Sequence, residues 1–348
     1  MQQIITGIQQ VGIGVSNAEE AFEWYRNAFG ADIPVFDDVA EAKLMTRYTG
    51  DTVQKRRAIL ALNIMGGGGF EIWQFKSRKP MGPDFQIQLG DLGINAVKIK
   101  SPDVKKAYAK LKDFAGEKVS AMMKAPDKTL HFWVEDPYGN LFQIVEGSSW
   151  FGSAKSATGG VCGVIIGVSD IEKAMSLYTD VLGFDKVAYD EEGSFDDLQH
   201  NGEFRRVNLQ KNQKDEGPFS RLFGHIDVEL VQALDREPRK LFEDRFWGDL
   251  GFIHVCFDVN DMDRLKETCN ADGYEFTVDS ADSFDMGEAA GRFSYIEDPD
   301  GTLVEFVHTH RVPIMKKWGW YINLKNRKTT NPLPNWMLKS MSMNRVKG

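Results

Sequence analysis

The chain has 348 residues, 42% hydrophobic and 27% charged, enough for two ordinary domain cores and unlike disordered or collagen-like chains. No run approaches the roughly 18 apolar residues of a membrane span, and the start MQQIITGIQQ lacks the basic and apolar regions of a signal peptide, so the chain reads as cytoplasmic. Net charge is −9, yet residues 311–348 hold nine Lys or Arg and no Asp or Glu; the acidic body before them excludes a nucleic-acid binder, which needs clustered positive charge.

Four times along the chain a short apolar strand runs into an amphipathic helix. IQQVGIGV precedes SNAEEAFEWYRNAFGAD, INAVKIK precedes SPDVKKAYAKLKD, CGVIIGV precedes SDIEKAMSLYTDVLGFD, and IHVCFDV precedes NDMDRLKETCNADGYE. Ser, Asn or Asp stands at each junction, where its side chain caps free helix N–H groups. Each helix is followed by a strand pair: RRAILALNIMGGGGFEIWQF, LHFWVEDPYGNLFQIVE, RRVNLQKNQ with HIDVELVQ, and FSYIEDPDGTLVEFVH. In the second and fourth pairs Asp-Pro-x-Gly makes the turn, Pro setting φ and Gly supplying a positive φ.

Module lengths run long, short, long, short, and AFEWYRNAFGAD is echoed by AMSLYTDVLGFD, as RRAIL is by RRVNL. A two-module half has therefore duplicated. The halves are 1–146 and 161–310, separated by the Gly/Ser-rich linker 147–160 and followed by the extension 311–348. Cys162, Cys256 and Cys269 form no CxxC and suit buried free thiols in a reducing compartment.

This pattern resembles the vicinal oxygen chelate superfamily, which includes glyoxalase I, extradiol dioxygenases and bleomycin-resistance proteins. The resemblance covers roughly residues 5–310. It implies an α+β fold of four βαβββ modules, paired into curled mixed-sheet cups, with the basic aromatic-rich extension added. It also implies one divalent metal ion, with ligands on the first and last strands of paired modules. The matching positions are Gln10 and Glu71, Asn95 and Gln143, Gly163 and Glu229, and His254 and Glu305.

Strand alternation tests which of these face a cup. In IHVCFDV the set Ile253, Val255, Phe257 and Val259 is apolar and belongs under the helix, leaving His254, Cys256 and Asp258 on the concave face. Glu305 alternates with Leu303 and Val307, and Glu71 with Trp73 and Phe75, so neither carboxylate buries cheaply without a partner. Gln10 shares its face with Gly12 and Gly14, which leaves space before it, whereas Asn95 shares its face with Val97 and Ile99.

Two module pairings remain open. First with fourth unites Gln10, Glu71, His254 and Glu305, similar to the ligand set of animal-type glyoxalase I. Third with fourth unites Glu229, His254 and Glu305, the dioxygenase arrangement, with Gly163 where a His ligand belongs. One nitrogen and three oxygens suit Zn²⁺, Ni²⁺, Mn²⁺ or Fe²⁺. One working metal site per chain is expected.

The function implied is a metal-dependent glyoxalase-like isomerase or lyase, acting through an enediolate-type intermediate on a small substrate with adjacent oxygens. Glu305 is the expected base and Glu71 the second. Arg57, Arg206 and Cys256 are candidate substrate contacts, set against solvated charges and an inert thiol. The other readings are an Fe(II) extradiol-type dioxygenase and a metal-free small-molecule binding protein. His131, His200, His225, His308 and His310 read as structural. The extension carries Trp318, Trp320, Trp336 and four methionines; it is expected to bury its aromatics on the acidic body or on a partner subunit, rather than on a membrane surface. A four-module chain completes both cups alone, so a monomer or a homodimer is expected.

Overall fold

Strand alternation and capping residues turn the repeated sequence into repeated structure. The computed structural model describes residues 3–153, 156–212, 214–281, 284–285, 290–315, 319–324 and 331–346. The first module comprises β1 (Ile5–Gly14), α1 (Ala18–Phe29), β2 (Ile33–Glu41), β3 (Lys55–Leu62) and β4 (Gly69–Phe75). The second comprises β5 (Gly93–Ser101), α2 (Val104–Ala115), β6 (Met123–Lys124), β7 (Leu130–Glu135) and β8 (Leu141–Glu146). The third comprises β9 (Val161–Gly167), α3 (Ile171–Ser176), β10 (Lys186–Gly193), β11 (Phe204–Gln210), α4 (Ser220–Phe223) and β12 (Asp227–Ala233). The fourth comprises β13 (Gly251–Val259), α5 (Met262–Ala271), β14 (Val278–Asp279), β15 (Phe284–Asp285), β16 (Ala290–Glu297) and β17 (Leu303–Met315). β18 (Trp320–Asn323) and α6 (Asn335–Ser340) follow.

Asn17, Asp103, Asp170 and Asp261 cap α1, α2, α3 and α5, each side chain accepting from backbone N–H groups of the first turn. In the Asp-Pro-x-Gly turns, Asp136 accepts from the N–H groups of Tyr138 and Asn140, and Asp298 from those of Asp300 and Thr302. Gly139 and Gly301 supply φ of +84° and +90°.

The strands form two curled half-barrel sheets. The order of the first is β14-β16-β17-β13-β1-β4-β3-β2, with β15 on β16 and β18 on β17; that of the second is β10-β11-β12-β9-β5-β8-β7-β6. Their seams are the antiparallel pairs β1/β13 and β5/β9. Each sheet therefore takes one module from each half, first with fourth and second with third.

A continuous core under the helices joins all four modules through Tyr25, Phe70, Phe142, Phe184, Phe257 and Phe306. A second core fills part of the first cup around Trp73, Trp247, Phe293 and Tyr295, and a smaller one lies in the second cup around Trp133 and Phe204. The alternation expected for β13 holds at Val255, Phe257 and Val259 but not at Ile253. The β1/β13 register shifts between Gly12 and Ile13, so Phe252 joins the helix-side core and Ile253 the cup core.

In the extension, Leu333, Leu338 and Met341 are buried, the Leu333 N–H donates to the Pro218 carbonyl at 2.9 Å, and Arg345 pairs with Asp32 at 2.9 Å. Its tryptophans behave otherwise than expected: Trp320 and Trp336 stay exposed, stacked on each other at 6.1 Å. Trp318 lies outside the described residues. Among the described residues no helix is long and apolar enough to cross a membrane.

Candidate metal centre

The seam between β1 and β13 brings together polar side chains from four adjacent strands. Gly12 faces His254 across the seam and stands beside Glu71 on β4; Gln10 faces Cys256, which stands beside Glu305 on β17. A β-carbon at position 12 would lie 2.4 Å from His254 Cε1, so the imidazole occupies space that only glycine leaves. Trp247 lies parallel to the ring at 6.4 Å, Tyr295 meets it edge-on at 5.5 Å, and the Tyr295 hydroxyl lies 3.4 Å from Nδ1.

His254 Nε2 lies 3.0 Å from Glu305 Oε2 and 3.4 Å from Glu71 Oε2. The ligand atoms of Glu71, His254 and Glu305 all fall within 4.8 Å of one another, and all three residues are buried. Gln10 Nε2 approaches the same carboxylate oxygens, at 3.3 Å from Glu71 and 3.5 Å from Glu305. Burial opposes a charge on His254, but Glu305 and then Glu71 outweigh it and raise its pKa to about 9. Burial, reinforced by Glu305, holds the Cys256 thiol well above its ordinary value.

One unsatisfied atom shows what the cluster lacks. Gln10 Oε1 is buried without a hydrogen-bond partner, a cost that folded proteins rarely leave unmet. Two buried carboxylates, an amide oxygen and an imidazole nitrogen form a donor set that fits a divalent cation. The residues present therefore suit a metal ion.

The second cup has the same frame with different chemistry. Glu229 has the place of Glu71, Gln143 that of Glu305 and Gly163 that of Gln10, while Lys98 stands where the first cup has Cys256, and Arg206 where it has Ala58. Lys98 Nζ lies 2.8 Å from Asp227 and 3.0 Å from Glu229; Arg206 pairs with Glu229 at 2.8 Å and with Asp197 at 2.7 Å. His131 bridges Asp197 and Gln143 at 3.1 and 3.2 Å. Two protein cations thus fill the space that a metal ion would need.

The site candidates from sequence separate accordingly. Gln10, Glu71, His254 and Glu305 converge. Glu229 as an alternative ligand does not join them: β12 lies in the other sheet, and Arg206 and Lys98 already neutralise its carboxylate. Arg206 is fully buried in that network, so it presents nothing to a substrate in the first cup. Arg57 points outward, its guanidinium paired with Asp37 at 2.8 Å through two nitrogens. Cys256 is buried beside Glu305. Asn95 does not face the second cup. A register shift between Ile94 and Ala96 turns it into the preceding loop, where it bonds to Gly90, Asp91 and Gly93. Tyr295 and Trp247 escaped the sequence reading. Tyr295 alternates with Phe293 and was findable by strand period; Trp247 lies in an irregular loop with no periodic signal.

The sequence matches the Glyoxalase/Bleomycin resistance protein/Dioxygenase superfamily over residues 7–144 and 161–306. The chain belongs to this superfamily. A putative dioxygenase from Bacillus subtilis is similar in structure, with a TM-score of 0.56, 16% identity, and coverage of 88% of this chain and 86% of that one. Glyoxalase I from Zea mays gives a TM-score of 0.51 at 14% identity, covering 87% of this chain and 92% of its own. At such identities the likeness is one of superfamily fold. No curated protein matches the sequence.

Proposed function

We propose that this superfamily member is a divalent-metal-dependent glyoxalase-like isomerase or lyase acting on a small substrate with two adjacent oxygens. The observation that carries this reading is the buried convergence of Glu71, His254 and Glu305, with Gln10 Oε1 beside them lacking a partner. Gln10, Glu71, His254 and Glu305 would hold the ion, which supplies Lewis-acid stabilisation of negative charge on the substrate oxygens. Glu305 takes a proton from the hydroxyl-bearing substrate carbon and returns it to the neighbouring carbonyl carbon, while the hydroxyl proton passes to the neighbouring oxygen, so the net change is an isomerisation; Glu71 is the second candidate for the carbon-to-carbon transfer. Burial of both carboxylates keeps bulk water from competing for the proton. Tyr295 and Trp247 hold the imidazole in place. Each chain builds its own cup, so a monomer or a homodimer serves equally.

Turnover of the metal-reloaded protein against α-keto and α-hydroxythioester-forming substrates tests the reading. Metal-dependent isomerisation, abolished in Glu305→Gln, is the expected result. Oxygen uptake with catechols would establish the dioxygenase reading instead, and ligand binding by a protein that retains no metal would establish the binding-protein reading.

A further inference from the structure

An apolar chamber opens directly onto the carboxylates. Gln10, Glu71 and Glu305 form its polar floor, and its walls include Phe36 and Leu60 of the first module, Leu222 and Phe223 of α4, Val307 of β17, and Met341 of the extension. The cavity measures about 90 Å³, where one water needs roughly 10–15 Å³, so it has room for several heavy atoms. Among the described residues no Lys, Arg or His lines it. An anionic group between these apolar walls would be buried without a paired cation from the described lining. A second opening reaches the same two carboxylates on the side of Lys43 and Arg56, with Phe293 lining both openings. The two approaches to the cluster thus differ in chemistry, one apolar with no cation among its described residues, the other lined by Lys43 and Arg56, which pair with Glu41 and Asp38.

We propose that the chamber receives an uncharged alkyl or aryl substituent of the substrate, and that Leu222, Phe223 and Met341 set the length it accepts. Two of these residues come from α4 of the third module and one from the extension, so segments outside the paired first and fourth modules determine specificity at their site. The inference rests on the metal reading above only for where the oxygen-bearing head lies; the chamber itself is defined by its walls. Burying each methylene strengthens binding about fourfold until the space is full.

Full-length protein reloaded with Mn²⁺ is titrated calorimetrically with straight-chain hydroxamates from acetyl to octanoyl. Affinity is expected to rise about fourfold per methylene and then level off. The octanoyl analogue with a terminal carboxylate is expected to lose that gain, and Met341→Trp and Leu222→Trp to bring the plateau to shorter chains while acetohydroxamate binds as before. Equal affinity for acetyl and octanoyl chains, or equal affinity for the charged and uncharged octanoyl tails, would overturn the proposal. Loss of acetohydroxamate binding on metal removal tests the metal reading separately. If removal changes nothing, that reading fails, and 1-butanol to 1-octanol binding to metal-free protein decides the chamber: the same slope supports it and a flat series overturns it.

Discussion

At position 12 a hydrogen atom stands where any side chain would meet the His254 imidazole at 2.4 Å. Gly12→Ala is therefore expected to displace His254 and abolish metal retention while leaving far-UV circular dichroism unchanged; full retention would contradict this. Tyr295→Phe removes the hydroxyl beside His254 Nδ1 and is expected to weaken metal binding by roughly 10–100-fold, read by competition with a chelator. In the other cup, burial opposes ionisation of Glu229, but Arg206 and Lys98 lower its pKa from 4.5 to about 2. A depressed folded value contributes stability above the unfolded pKa, lost as pH falls from 4.5 towards 2. Glu229→Gln leaves two buried cations short of charge, so a loss of about 3–5 kcal/mol at pH 7 and a flatter acid limb in urea titrations are expected, with metal content intact. His254, Glu71 and Glu305 were legible in the sequence because each interrupts an apolar strand at a repeated place. The role of Lys98 was not, since its inward orientation depends on a register shift next to Asn95.

At the scale of elements, the strand-to-helix junctions were legible because capping chemistry is local. Asp261 accepts from Arg264 N–H at 3.1 Å to start α5, and Asp261→Ala is expected to cost about 1 kcal/mol in chemical denaturation; an unchanged midpoint would show the cap to be idle. Register was less legible. A bulge inserts one residue without a signature in hydrophobicity, which is why Ile253 and Asn95 end on faces that strict alternation does not give them. The α1 and α3 segments show how similar sequences diverge: α1 continues to Phe29, whereas α3 gives way after Ser176 to a wider turn over Leu177–Val181. There Thr179 and Val181 replace Arg26 and Ala28, and β-branched side chains crowd the helix.

For the whole molecule, four modules and two halves were readable from the repeat, but their pairing was not, because either arrangement buries the same apolar strand faces. The topology resolves it: each sheet joins a module from each half across the β1/β13 and β5/β9 seams. Residues 1–153 or 156–348 expressed alone should therefore expose a seam and self-associate, while co-expression should restore a monodisperse heterodimer by gel filtration; a stable monomeric half would contradict this. The duplicated frame also accounts for two cups of opposite character, one with its carboxylates paired to Lys98 and Arg206, the other with two carboxylates, an imidazole and the unpartnered Gln10 Oε1. The most direct measurement is the element-resolved metal content of the untagged protein, beside Glu71→Gln and Glu229→Gln. Near-stoichiometric metal in the wild type and in Glu229→Gln, lost in Glu71→Gln, is the predicted result. Metal lost only in Glu229→Gln, or none in the wild type even after reloading, would contradict the account.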